Sequence, residues 1–181
     1  MSKNFYISDL HFGHANVIRF DDRPFQTIEE HDEALIENWN SVVSKDDHVY
    51  IVGDFCFKNA KNVSAYTNRL NGHLHLIRGN HDKKTPEYES CFETVDDVLT
   101  VSDVLDGEKK KVVLCHYWMP FVGMKKYMLY GHTHTGNEYV LEVLLKDELR
   151  RNDYPNNAFN VGCMHLDYYP RTLEEIVHHK W

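Results

Sequence analysis

The most constraining feature of this sequence is a repeated pattern in which a short apolar run ends abruptly at glycine and polar residues. It is clearest at Leu76–Asp82, where Leu-Ile is followed by Arg-Gly-Asn-His-Asp. Apolar runs bounded by turn residues are typical of buried strands in α/β folds, and ligands collect at the carboxyl ends of such strands. Taken alone, Gly-Asn-His-Asp also fits an ordinary turn. The recurrence of the pattern along the chain is what favours a functional site.

The same pattern sets the predicted strands. They alternate with helices in the first half and form a hairpin around Asp106-Gly107 in the second, since Asp-Gly is a strong two-residue turn signal. The predicted strands are Asn4–Ser8, His48–Val52, His73–Ile77, Val98–Leu105, Lys110–Cys115, Tyr127–Tyr130, Ala158–Val161 and Met164–Leu166. Alternation followed by a hairpin-rich half indicates two packed sheets with helices outside.

The predicted helices rest on capping signals. Thr27 and Glu30 have capping-box spacing and open a helix to about Val43, and Thr172 with Glu175 opens a short last helix. Asn59–Leu70 is also predicted as a helix, ended by Asn71-Gly72. Tyr139–Leu149 favours a helix, although its apolar residues are dense enough for a strand. The charge and length of Tyr139–Asp153 suggest a helix laid against the second sheet, and a dimer contact is one role open to it.

Composition narrows the class of protein. The 181 residues, with 42% hydrophobic and 27% charged residues, predict one globular domain over 1–181 without a membrane span. The formal charge of −8 argues against a protein that holds nucleic acid by neutralising phosphates. Four cysteines without paired spacing and the lack of a cleavable leader predict a reduced, cytoplasmic protein. The unusual count is 13 histidines, because histidine is both a metal ligand and a near-neutral acid or base.

Several of these histidines follow predicted strands together with acidic or amide residues. The polar residues at strand ends are Asp9, His11, Asp54, Asn80, His81, Asp82, His116, His132 and His134. Each block alone is more typical of a turn than of a metal site. In this order, however, they resemble the calcineurin-like metallophosphoesterase superfamily, whose blocks are Asp-x-His, Gly-Asp, Gly-Asn-His-Asp/Glu, His and Gly-His-x-His. The start at Ser8–His14 is especially similar to small single-domain bacterial and phage members. The residues after Gly53-Asp54 do not match the serine/threonine phosphatase branch.

The resemblance implies a four-layer α/β sandwich of two mixed sheets flanked by helices. It also implies two cations about 3.5–4 Å apart, bridged by Asp54, whose shared hydroxide attacks phosphorus. One cation would take Asp9, His11, Asp54 and His134, and the other Asp54, Asn80, His116 and His132. Imidazole and carboxylate ligands suit Mn, Fe, Zn or Ni better than Mg or Ca.

The resemblance also assigns residues around the metals. His81 would face the substrate and bind a phosphate oxygen or protonate the leaving alkoxide. Asp82 would hold that imidazole by a hydrogen bond, or simply cap the next segment. By position alone, Arg78 is expected at the phosphate or, as favoured, in a salt bridge on the sheet, and His14 either at the substrate or at the surface. The similarity of Asn160-Val161-Gly162 to a strand of small members implies that Asn160 helps shape the pocket.

These patterns predict a dinuclear metal-dependent phosphoesterase acting on a small or exposed phosphoester or nucleotide, with a diester favoured over a monoester. Duplex nucleic acid and membranes are not expected partners, and an oligomer remains open. The alternative from another class is a non-catalytic metal-binding scaffold of the same fold. Intact ligand positions and an intact His81 favour the enzyme. Hydrolysis of another bond type at the same metals has no sequence feature in its favour.

Overall fold

Two four-stranded sheets form the frame of the protein in a computed structural model that describes residues 2–57, 63–155 and 157–181. The first sheet has its strands in sequence order: β1 (Asn4–Ile7), β2 (His48–Ile51), β3 (His73–Ile77) and β4 (Thr94–Asp96). The second, also in sequence order, contains β5 (Val98–Leu105), β6 (Glu108–Cys115), β7 (Lys126–Tyr130) and β8 (Ala158–Asn160). The predicted α/β class with two sheets is confirmed.

The two sheets differ in strand direction. All three strand pairs of the first sheet are parallel, whereas the second sheet joins an antiparallel hairpin to two parallel pairs. Only the second sheet is therefore mixed, and the expectation of two mixed sheets is corrected for the first. The reason is that crossover segments return the chain to the same end before each new strand of the first sheet.

The helices flank these sheets. They are α1 (Ala15–Phe20), α2 (Ile28–Val42), α3 (Val63–Thr67), α4 (Pro86–Glu89), α5 (Asn137–Arg151) and α6 (Leu173–His178). The Thr27 side chain accepts a hydrogen bond from the Glu30 amide, and Thr172 and Glu175 form the reciprocal capping box. The predicted starts of α2 and α6 are confirmed, and Tyr139–Leu149 is helical as favoured.

Some predicted elements differ from the structure. The helix predicted at Asn59–Leu70 lies in part outside the described residues, and its described part ends at Thr67, because the Leu70 amide bonds to the Thr67 carbonyl in a tighter turn. The strand predicted at Met164–Leu166 is wrong. Cys163–His165 form a 3₁₀ turn in which the His165 amide donates to the Gly162 carbonyl. Helices α1 and α4 and strand β4 were not predicted, since three to six residues carry too little periodicity.

The buried core joins the two sheets to α2. Trp39 of α2 is fully buried, and its indole nitrogen donates to the Asn71 carbonyl at 2.9 Å. The same core cluster contains Ile51 of the first sheet and Leu114 of the second. This packing brings the carboxyl ends of the parallel strands of both sheets to a shared edge. Among the described helices, none is both long and apolar enough to cross a bilayer.

Candidate metal centre

The loops that follow β1 and β2 run side by side beyond the sheet. The amides of Asp9 and His11 donate to the carbonyls of Gly53 and Asp54, each at 3.0 Å. Asp9, His11 and Asp54 have φ values of 55°, 53° and 55°, and His132 has 73°. Left-handed backbone at residues other than glycine costs about 1–3 kcal/mol each and persists only where the surroundings impose it. In this conformation the backbone directs these side chains toward one point.

The first group of donors consists of Asp9, His11, Asp54 and His134. One ligand atom from each lies within 4.8 Å of the ligand atoms of the others. His134 Nε2 is 3.2 Å from His11 Nε2 and 3.3 Å from Asp9 Oδ1. Three strand ends supply this group, those of β1, β2 and β7, so the cluster exists only when the two sheets are packed.

A second group of donors lies on the other side of Asp54. Asn80 Oδ1 is 3.0 Å from both His116 Nε2 and His132 Nδ1. Asp54 Oδ2 is 3.4 Å from His116 Nε2 and 3.6 Å from His11 Nε2. Asp54, which is only 1% exposed, therefore lies between the two groups and close to both.

Hydrogen bonds at Nδ1 orient two of these imidazoles, those of His116 and His134. His116 Nδ1 donates to the Val52 carbonyl at 3.0 Å, and His134 Nδ1 lies 2.8 Å from both oxygens of Asp21. In each ring this contact places the proton on Nδ1 and turns Nε2 toward the donor group. Such partners fix the tautomer and raise the basicity of a metal ligand.

The carboxylates also shift the proton affinities of these rings. Burial lowers the pKa of His116, but the hydrogen bond and charge of Asp54 and the charge of Asp9 outweigh it and raise the pKa to about 9. Burial likewise opposes protonation of His134, yet Asp21 and Asp9 raise its pKa to about 10. Burial dominates at His11, whose pKa falls to about 3. The carboxylates therefore favour the protonated forms of His116 and His134 in the metal-free chain, and a bound cation would compete with those protons.

Glycines allow the strand ends to approach one another. A Cβ at Gly79 would overlap the Asp54 carboxylate, and a Cβ at Gly53, whose φ is +93°, would overlap the His116 ring. These residues directly precede the candidate ligands Asn80 and Asp54. The Gly-Asp and Gly-Asn pairs of the sequence are thus needed for close approach as well as for turning.

His81 and His14 lie beside the donor groups. The His81 amide donates to Asp54 Oδ1 at 2.9 Å, and its half-buried ring is 5.2 Å from the ring of His11. The His14 ring is 5.5 Å from that of His11 and stacks on Phe57 at 3.8 Å. The geometry brings both histidines to the edge of the cluster.

Asp82 makes different contacts from the histidine hydrogen bond expected of it. Asp82 does not bond to the His81 ring among the described contacts; its buried carboxylate accepts the amides of Asp54, Phe55 and Gly79 and the Tyr88 hydroxyl. The expected Asp82–His81 hydrogen bond is therefore wrong, because three backbone amides and one hydroxyl already occupy this carboxylate. Asp82 instead ties the loop after β2 to the loop after β3.

Arg78 and Asn160 both make structural contacts near the site. Arg78 binds Asp97 at 2.6 Å and Glu89 at 2.8 Å, which is the salt-bridge alternative, so its assignment as a substrate contact is corrected. Asn160 Nδ2 donates to the carbonyl and hydroxyl of Thr133, at 3.1 and 3.0 Å. Since Thr133 separates His132 from His134, Asn160 stabilises the loop that carries these two candidate ligands.

Sequence reasoning missed the residues that support the ligands. Asp21 and Arg23 are buried, and Arg23 bonds to Asp21 and to the carbonyls of Asp9 and Leu10. His165 donates to the His134 carbonyl at 3.0 Å. Neither Asp21 nor His165 stands at a strand end or in a spaced pair, so no pattern in the sequence marks them.

The residues present fit a divalent transition-metal cation. Asp9 and Asp54 are both almost fully buried, and two neighbouring buried carboxylates are costly without a compensating positive charge. The donors combine carboxylate oxygens with imidazole nitrogens, which suits Mn, Fe, Zn or Ni.

An α/β sandwich with an aspartate and histidine cluster at its strand ends defines a class of metal-dependent phosphoesterases. Residues 3–145 match the family described as the calcineurin-like phosphoesterase superfamily domain, and this chain belongs to that superfamily. The family and the cluster together support a metal-dependent phosphoesterase.

Similar proteins occur in an archaeon, a phage and a bacterium. An uncharacterized protein of Methanocaldococcus jannaschii is 33% identical over 184 residues, covering 98% of this chain and 90% of the relative. The gene 66 protein of Mycobacterium phage L5 is 30% identical over 166 residues, covering 75% and 79%. A crystal structure of a protein of unknown function from Aquifex aeolicus has a TM-score of 0.72 at 22% identity, covering 99% of this chain and all of that one. That structure shows the same fold.

Proposed function

We propose that this protein is a dinuclear metal-dependent phosphoesterase that hydrolyses a small or exposed phosphoester, with a diester favoured over a monoester. The observation that carries the proposal is the buried Asp54 carboxylate, which lies 3.6 Å from His11 and 3.4 Å from His116. A carboxylate between two donor groups suits a ligand shared by two cations. When bound, such cations neutralise phosphate oxygens and lower the pKa of a coordinated water.

The two groups divide the ligands. Asp9, His11, Asp54 and His134 would hold one ion, and Asp54, Asn80, His116 and His132 would hold the other. Asp21 and the Val52 carbonyl keep the Nδ1 protons of His134 and His116 in place, so that both Nε2 atoms stay available. The donor chemistry favours Mn, Fe, Zn or Ni in both positions.

His81 is the residue assigned to the substrate. Its amide is fixed on Asp54 Oδ1, and its ring is half-buried at the rim next to His11. From there the imidazole would bind a phosphate oxygen or give a proton to the leaving alkoxide. No described hydrogen bond joins a ring nitrogen of His81 to another residue, so both nitrogens are available to bind a substrate.

Charge around the site supports a diester. The two arginines next to ligand residues are already engaged, Arg23 by Asp21 and Arg78 by Glu89 and Asp97. Neither is free to pair with the second negative charge of a monoester. A singly charged diester needs less compensation beyond the metals.

Aromatic residues at the rim support a substrate with a planar group. Tyr117 is half-exposed, with its ring 4.8 Å from that of His132, and Phe57 lies 5.9 Å from His81. Such rings would stack on a nucleobase or an aryl group. The formal charge of −8 makes long duplex nucleic acid an unfavourable substrate.

Metal content tests whether two cations share the Asp54 carboxylate. Asp54→Asn should lose most of the bound metal by elemental analysis, because both ions would lose one ligand. Asp46→Asn, at an exposed turn before β2, is the control and should keep the wild-type content. Unchanged metal content in Asp54→Asn would remove the bridging role.

Turnover tests the reaction class. The Mn-loaded protein should hydrolyse aryl phosphodiesters faster than aryl phosphomonoesters. His81→Ala should keep its metal but lose turnover by about 100-fold or more, the usual contribution of a positioned acid or base. His178→Ala, on the exposed end of α6, should stay fully active. Full metal occupancy without hydrolysis of any phosphoester would instead indicate a non-catalytic scaffold.

A further inference from the structure

Helix α5 packs a polar face against the protein and exposes an apolar face, the reverse of an ordinary surface helix. Its one fully buried residue is Glu142, which is 4% exposed. Its large aliphatic side chains instead point to solvent, with Leu141 59%, Leu144 60% and Leu145 56% exposed. A helix that packs on a core normally buries such residues.

The inner face of α5 explains why the leucines lie outside. Glu142 accepts the hydroxyl protons of Tyr130 and Thr133 and binds Lys146 at 2.8 Å. These polar contacts fix the rotation of the helix. The aliphatic residues must therefore face away from the protein.

An apolar cleft lies beside this outer face. It has a volume of about 340 Å³ and is lined mainly by Trp118, Phe121, Leu145 and Leu149. Phe121 is 71% exposed at its edge. The surface therefore carries a projecting row of aliphatic side chains next to a concave apolar pocket of matching chemistry.

We propose that this surface, formed by Val140, Leu141, Leu144, Leu145 and Phe121, is the interface of a two-fold symmetric homodimer. Given their exposed fractions, these side chains present on the order of 500 Å² of apolar surface, close to the apolar share of the roughly 800 Å² per partner in a standard interface. Because the patch carries both a projecting row and a cleft, a two-fold arrangement would seat leucines of each copy in the cleft of the other. Self-complementarity is what a two-fold interface requires.

Charges around the patch favour a second copy over a lipid surface. On α5, Arg150 pairs with Asp147 and Arg151 with Glu148, so the rim is locally neutral and two copies do not repel each other there. An anionic membrane would repel a chain with a formal charge of −8.

Sedimentation velocity of the full chain tests the proposal. Between about 1 and 100 µM the wild-type protein should pass from monomer to dimer or be dimeric throughout. Leu144→Glu should raise the dissociation constant at least 100-fold and sediment as a monomer. Val104→Glu is the control, since Val104 is 58% exposed on β5, away from the patch, and this variant should dimerise like wild type.

Two results would overturn the proposal: a wild-type chain that stays monomeric at every concentration, or a Leu144→Glu variant that still dimerises. Circular dichroism should show wild-type secondary structure in Leu144→Glu. If Leu144→Glu does not keep this secondary structure, sedimentation of Leu141→Glu, a variant on the same face of α5, takes its place as the test. The dimer does not depend on the metal ligands, so its failure leaves the proposed hydrolysis untouched.

Discussion

Asp21 holds the imidazole of His134 from behind, with both carboxylate oxygens 2.8 Å from Nδ1. Arg23 binds the same carboxylate at 2.8 Å and is itself buried. Burial opposes ionisation of Asp21, but the contacts with His134 and Arg23 outweigh it and lower its pKa. A buried, ionised carboxylate of this kind makes the imidazole a stronger metal ligand.

Asp21→Asn should therefore lower metal affinity about 10–100-fold, because an amide keeps the shape of the side chain without its charge. Titration of the metal-free protein with Mn, followed by calorimetry, measures this change. Asp22→Asn is the matched control: Asp22 is exposed, and its φ of 52° is a conformation that asparagine tolerates. Equal affinities in the two variants would mean that Asp21 has only a structural role.

At the scale of secondary-structure elements, the turn after β3 is the most tightly constrained. Gly79 packs against the Asp54 carboxylate so closely that any Cβ would overlap it. The amide of His81, two residues on, donates to Oδ1 of this carboxylate, which is also the oxygen nearest to a Cβ at Gly79. The backbone of the turn after β3 thus packs directly on the Asp54 carboxylate, and this contact positions Asn80.

Gly79→Ala should destabilise the fold by about 1–3 kcal/mol, the usual cost of overpacking, and should reduce bound metal. Thermal unfolding and elemental analysis measure the two effects. Gly136→Ala provides the comparison, because a Cβ there meets nothing within 4 Å, and it should change neither quantity. A Gly79→Ala protein with wild-type stability and metal content would show that the turn has room to shift.

The elements also show which parts of the fold can be predicted from sequence. The Asp106-Gly107 hairpin was predicted because its turn chemistry is local: both residues have positive φ, 52° and 77°. The strand ends could be predicted because each block of candidate ligands follows an apolar run. The type of α5 was predicted, but its rotation was not, since Tyr130 and Thr133, which anchor Glu142, lie in another element. Contacts of this kind leave no periodic signal.

On the scale of the whole molecule, the candidate metal centre draws its residues from both sheets. Asp9, Asp54 and Asn80 follow strands of the first sheet, and His116, His132 and His134 follow strands of the second. A cation bound by both sets would stabilise the packing of one sheet on the other. Removing the cation with a chelator should therefore lower the melting temperature. The expected decrease is about 10 °C when the free metal concentration beforehand is about 1,000 times the dissociation constant. In Asp54→Asn the same treatment should have little effect.

This metal-dependent rise in melting temperature should grow as the pH increases from about 6 to about 8. In the metal-free fold, pKa values of about 9 for His116 and about 10 for His134 lie above the ordinary value of 6.5. Protonated rings paired with carboxylates therefore stabilise the metal-free fold fully at low pH, and this contribution is lost as the pH rises through those values. A cation requires the same rings neutral, so protons compete with it at low pH. Melting curves with and without Mn at several pH values measure the difference; a constant or shrinking difference would mean that these protons do not oppose metal binding.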